Sequence, residues 1–105
     1  MARLDVCAAA DLPAGSARVV HAAAVTIGVY NLDGELYAIE DRCSHDDGPL
    51  AEGELDVEAG VAVCPRHGAR IDIRSGRPLT LPAVLPVATF PVAVEDGRVV
   101  VEIDT

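Results

Sequence analysis

Over much of the chain apolar side chains alternate with polar ones, the spacing of a strand that turns one face inward, while helical periodicity is nearly absent. The runs Arg3–Cys7, Ala17–Val20, Val25–Asn31 and Glu35–Asp41 carry branched apolar residues between Gly, Pro, Asp or Ser breaks, which predicts four short strands. Leu32-Asp33-Gly34 separates the last two and predicts a hairpin. Val61–Cys64 and Arg70–Ile73 predict two further strands, after which Ser75-Gly76 turns the chain. Val87–Glu95 and Arg98–Ile103 predict a closing hairpin on Asp96-Gly97, the strongest short turn signal present. Ala8–Leu12 predicts one helical turn and Ala59-Gly60 a tight turn. The expected fold is all-β, an antiparallel sandwich or small barrel. It is read as one domain over residues 1–105, with no repeat and no linker.

Composition sharpens this picture in one respect. Of the 105 residues 50% are hydrophobic, yet the aromatics are only Tyr30, Tyr37 and Phe90, so the core must be built from Val, Leu, Ile and Ala. A bound metal would supply folding free energy that so small an aliphatic core lacks. The net charge of −9 repels nucleic acid and argues against that class of partner. Met1-Ala2-Arg3-Leu4-Asp5 places charges where an export signal needs an apolar run. The uncharged stretch Val19–Leu32 is interrupted by His21, Thr26 and Asn31, so no membrane span is expected. The sequence holds no Ser/His/Asp set, no phosphate-cradling glycine loop and no dinucleotide fingerprint.

The chemistry lies in two short runs, Cys43-Ser44-His45 and Cys64-Pro65-Arg66-His67-Gly68, with 18 residues between His45 and Cys64. Each offers one thiolate and one imidazole from a loop between strands, which is a metal site. A structural zinc ion usually takes like ligands from one knuckle. Mixed pairs suit a two-iron cluster, in which Cys43 and Cys64 hold one iron and His45 and His67 the other, so that each loop touches both. A zinc-stabilised module with no redox role remains the alternative at this level.

The two runs resemble the ligand loops of the Rieske [2Fe-2S] ferredoxins, and the resemblance extends from about Arg3 to Ile103. It implies one [2Fe-2S] cluster per chain, held by Cys43, His45, Cys64 and His67. Leu79-Thr80-Leu81-Pro82-Ala83 corresponds to the proline loop that covers the cluster in the family. The spacer before Cys64 is slightly longer than usual, which suggests a small insertion around Asp56–Ala59. The implied role is that of an electron carrier and not an enzyme. Small Rieske ferredoxins of this kind pass single electrons from a flavin-dependent, NAD(P)H-oxidising reductase to a terminal, ring-hydroxylating type of oxygenase. A membrane anchor, as in respiratory members, is not expected here, and a cytoplasmic location follows. The family alternative is a Rieske-like small subunit of a reductase such as nitrite reductase, many of which lack the ligand set.

The resemblance also bears on the potential. Two ferric ions, two sulfides and two thiolates sum to zero, so an added electron meets a neutral site, and family potentials span about −150 to +300 mV. High-potential relatives join the loops by a disulfide and donate Ser and Tyr hydroxyls to the cluster sulfurs. The matching positions here are Gly48 and Arg66, and Ala69 and Ile71. With those donors missing and Asp46 and Asp47 after His45, a potential toward the low end is expected. Cys7 is read as a buried small hydrophobe, His21 as a strand-end histidine outside the ligand set, and Arg66, Arg70, Arg74 and Arg77 as a basic run that pairs with nearby carboxylates.

Overall fold

The computed structural model describes residues 2–22, 25–41, 54–64, 68–79 and 86–103. Among them ten strands occur, β1 (Ala2–Ala8), β2 (Ala17–Ala22), β3 (Val25–Leu32), β4 (Glu35–Glu40), β5 (Leu55–Asp56), β6 (Val61–Val63), β7 (Arg70–Asp72), β8 (Thr89–Phe90), β9 (Val92–Glu95) and β10 (Arg98–Ile103). The helical turn expected after the first strand is a 3-10 turn at Ala9–Asp11. The strands form three antiparallel sheets, ordered β1-β10-β9, β2-β3-β4-β8 and β5-β6-β7. The all-β antiparallel expectation therefore holds.

Local chemistry explains the two long hairpins. Leu32 pairs with Glu35 across Asp33-Gly34, and Glu95 with Arg98 across Asp96-Gly97. In both turns the Asp and the Gly have positive φ, 56° and 98° in the first and 51° and 75° in the second. That is the twist a two-residue hairpin requires, and Asp-Gly adopts it at low cost.

The middle sheet is a wall shared by two apolar cores. Alternation sends Tyr30 and Leu32 of β3 and Tyr37 and Ile39 of β4 to one face, where they meet Ala62, Ile71 and Ile73 from the β5-β6-β7 region. The same alternation sends Ile27, Val29 and Ala38 to the other face, against Val99, Val101 and Ile103 of β10. Both faces of β3 are thus buried, which is why its run reads as nearly continuous apolar residues.

Two departures from the expected elements have clear causes. The single strand expected over Val87–Glu95 is divided at Pro91. Thr89 and Phe90 pair with β4 in the middle sheet, while Val92–Glu95 pair with β10 in the outer one. Proline has no N–H to give to a ladder, so the chain changes sheets there; its carbonyl still accepts the Glu102 N–H at 2.9 Å. The short strand β5 was not expected, because two residues carry no period of their own. In β1 the register with β10 shifts between Asp5 and Cys7. This bulge at Val6 lets Leu4, Val6 and Cys7 all reach the second core. Cys7 is buried there, as read from the sequence.

Candidate metal centre

Cys64 is the one predicted ligand among the described residues; Cys43, His45 and His67 lie outside them. It follows directly on β6 and is 1% exposed, in the first core with Ala69 and Ile71. Its N–H donates to the Ala69 carbonyl at 2.7 Å, and its carbonyl accepts the Gly68 N–H at 2.9 Å. Gly68 has φ of 72°, a backbone turn that glycine adopts at low cost just before β7. The second ligand loop is clamped at its root by its own backbone, which fixes the Cys64 Cα against a buried wall.

The root of the first loop is fixed in a comparable way. Strand β4 ends at Glu40, and Asp41, itself buried, donates its N–H to the Thr26 carbonyl at 2.7 Å. Two residues later the chain reaches Cys43. Since Ile39 of β4 and Cys64 belong to one core, both ligand loops spring from the same apolar mass. The third segment also starts close by. Leu79 donates its N–H to the Arg70 carbonyl at 2.7 Å and Pro78 bridges to Ile71, while residues 80–83 lie outside the described residues. No group of three metal-ligating side chains occurs among the described residues.

Around this root the basic run resolves into separate roles. Arg70 Nη2 donates to Asp56 Oδ2 at 3.2 Å. Asp56 Oδ1 accepts the Ala59 N–H at 3.1 Å, which holds the turn between β5 and β6. That N–H bond first, and the Arg70 guanidinium after it, hold the Asp56 carboxyl below its ordinary value of 3.8. This turn occupies the place where an insertion was expected. Arg74 stacks over the Tyr37 ring, 5.5 Å from its centroid. Arg66 lies outside the described residues. His21 is exposed, with Nδ1 3.2 Å from Thr26 Oγ1.

Sequence reasoning missed one group near the loop roots, the hydroxyl of Tyr30. The residue is 1% exposed, and its hydroxyl is buried with no hydrogen-bond partner among the described residues. Burial pushes the phenol well above its ordinary value, and the Asp41 charge adds to the effect. A tyrosine in an aliphatic run carries no local mark of such a position; the register of three strands creates it.

The donors suit a two-iron cluster by their chemistry. Cys64 offers a soft thiolate from a dry wall, as the inner iron needs, and the sequence supplies one more thiolate and two imidazoles from adjoining loops. A family model described as the Rieske [2Fe-2S] domain matches residues 2–91. The 3-phenylpropionate/cinnamic acid dioxygenase ferredoxin subunit of Photorhabdus laumondii is 41% identical over 103 residues, covering 98% of this chain and 96% of the relative. Among solved structures, the ferredoxin of carbazole 1,9a-dioxygenase from Nocardioides aromaticivorans superposes with a TM-score of 0.90 at 30% identity, covering 96% of this chain and 97% of that one. A chain from a complex of reduced oxygenase and oxidized ferredoxin in carbazole 1,9a-dioxygenase gives 0.89 at 38% identity, covering 94% and 91%.

Proposed function

The chain belongs to the Rieske [2Fe-2S] domain family, and on that premise we propose that it is the one-electron carrier of a multicomponent ring-hydroxylating oxygenase. The observation that carries this reading is the match, over nearly the whole of both chains, to a dioxygenase ferredoxin subunit at 41% identity. That match favours the carrier over the small subunit of a nitrite-reductase type of enzyme. The solved pairing of a similar ferredoxin with its oxygenase supports a terminal oxygenase as the acceptor. The donor is a flavin-dependent, NAD(P)H-oxidising reductase, and the carrier works in the cytoplasm, where that nucleotide is supplied. Residues 1–105 are taken as one Rieske domain.

We assign Cys43 and Cys64 to one iron and His45 and His67 to the other. When bound, the cluster stores a single electron and returns it. The chain itself holds the roots of the ligand loops rigid, through the Cys64–Ala69 and Cys64–Gly68 backbone bonds and the Asp41–Thr26 bond. Rigid roots on strand ends keep the ligands in one geometry in both oxidation states. Among the described residues no helix is long and apolar enough to cross a membrane.

The test is direct. Purified protein should contain iron and acid-labile sulfide in equal amounts, about two of each per chain as the cluster type requires, and should give a paramagnetic resonance signal after reduction by dithionite. Cys43→Ser, His45→Ala, Cys64→Ser and His67→Ala should each abolish that signal. One equivalent of zinc with neither iron nor sulfide would overturn the reading.

A further inference from the structure

Tyr30 sits on the face of the middle sheet that shares a core with Cys64, and the register orders its neighbours in rows. Tyr30 lies opposite Tyr37 and Gly28 opposite Ile39. One row further on, the Asp41 N–H meets the Thr26 carbonyl. The Tyr30 ring folds back over Gly28, so that a Cβ there would stand 3.1 Å from Cε1 and 3.2 Å from the hydroxyl oxygen. The hydroxyl is therefore aimed along β3 toward Thr26 and Asp41, the row from which the chain enters Arg42 and Cys43. The buried core that includes the ring is otherwise aliphatic apart from Cys64.

A phenol held in a dry core is costly unless it finds an acceptor. Asp41 is the charge that acts on it, and Asp41 is buried at the root of the first ligand loop. The glycine beneath the ring is what allows this aim, since any Cβ at residue 28 would crowd it.

We propose that the Tyr30 hydroxyl is a positioning group for the cluster. In the loaded protein it donates a hydrogen bond to the Asp41 carboxylate and so pins the root of the first ligand loop two residues before Cys43. The inference rests on the assignment of Cys43 as a ligand. Tyr30 acts through Asp41 and touches no iron.

The experiment compares wild type, Tyr30→Phe, Asp41→Asn and the double variant as loaded proteins, with Tyr37→Phe as a control whose hydroxyl bonds Glu35 in an exposed hairpin. Three quantities are read, the rate of cluster loss to a chelator, the midpoint potential and the stability to urea. Tyr30→Phe should lose its cluster several-fold faster than wild type and shift the midpoint, and the double variant should be no worse than the worse single variant. The control should match wild type. After chelation, Tyr30→Phe and wild type should differ less in stability to urea than the loaded proteins do. Wild-type loss rate and potential in Tyr30→Phe would overturn the proposal. So would additive effects of the two substitutions, or an equal loss of stability with and without the cluster, which is what a packing role gives. Absence of iron from wild type would instead overturn the ligand assignment.

Discussion

Arg70 reaches across 3.2 Å to the carboxylate of Asp56, tying the β5–β6 turn to the strand that leaves the second ligand loop. The contact joins two short strands that hydrogen-bond to β6 from opposite sides. It is half-exposed, so its contribution is modest and screened by salt. Asp56→Asn keeps an acceptor for the Ala59 N–H but removes the charge. Because the folded carboxyl is held below its unfolded value, its stabilisation is present above the ordinary carboxylate range and is lost as pH falls through the depressed value. The stability gap between wild type and Asp56→Asn should therefore be open at pH 7, narrow as the solution is acidified through that range, and shrink at high salt. Urea titrations at stepped pH would check this, and a gap that widens in acid would refute it.

Gly28→Ala tests the close approach under Tyr30. The added methyl would force the ring off Gly28, and overpacking of this kind costs about 1–3 kcal/mol. Tyr30→Leu in the same background should restore part of that loss, since it removes the atoms in conflict. Equilibrium denaturation of the single and double variants measures both effects.

The potential should lie toward the low end of the family range, because no hydroxyl stands at Ala69 or Ile71. Both are fully buried, and Ala69 is bonded through its carbonyl to the Cys64 N–H. Ala69→Ser places a donor beside the ligand loop without changing that backbone bond. It should raise the midpoint potential, because a hydrogen bond to sulfur favours the reduced, more negative site. Protein-film voltammetry reads the change, and a midpoint unmoved or lowered by the substitution would reject the argument.

Removal of the cluster should destabilise the whole chain. On one side the core that carries Cys64 is closed by the short strands β5, β6 and β7, one of two residues and two of three, and metal ligation supplies folding free energy that such elements do not. The chelated protein should melt well below the loaded one. Equal melting temperatures would show that the apolar cores suffice.

Charge gives a kinetic prediction. A chain of net charge −9 that meets basic partner surfaces should transfer electrons more slowly as salt is added, over the range in which the screening length falls to about 10 Å. Stopped-flow reduction of the oxygenase at stepped ionic strength checks it. A rate that does not respond would assign the acidity to solubility alone.

The sequence by itself determined the antiparallel β class, the Asp33-Gly34 and Asp96-Gly97 hairpins and the burial of Cys7, and it proposes Cys43, His45, Cys64 and His67 as the ligand set. Each of these follows from period-two alternation, a dipeptide's backbone preference or a spacing of donor types, and such signals are local. Tertiary structure alone decided that β3 and β4 divide their side chains between two cores, that Pro91 carries one apparent strand from the middle sheet to the outer one, and that β5 exists. It also decided that the Tyr30 hydroxyl lies over Gly28. These depend on which strands become neighbours and in what register. That choice is set by the burial of apolar area summed over residues far apart in the chain, so no window of the sequence contains it.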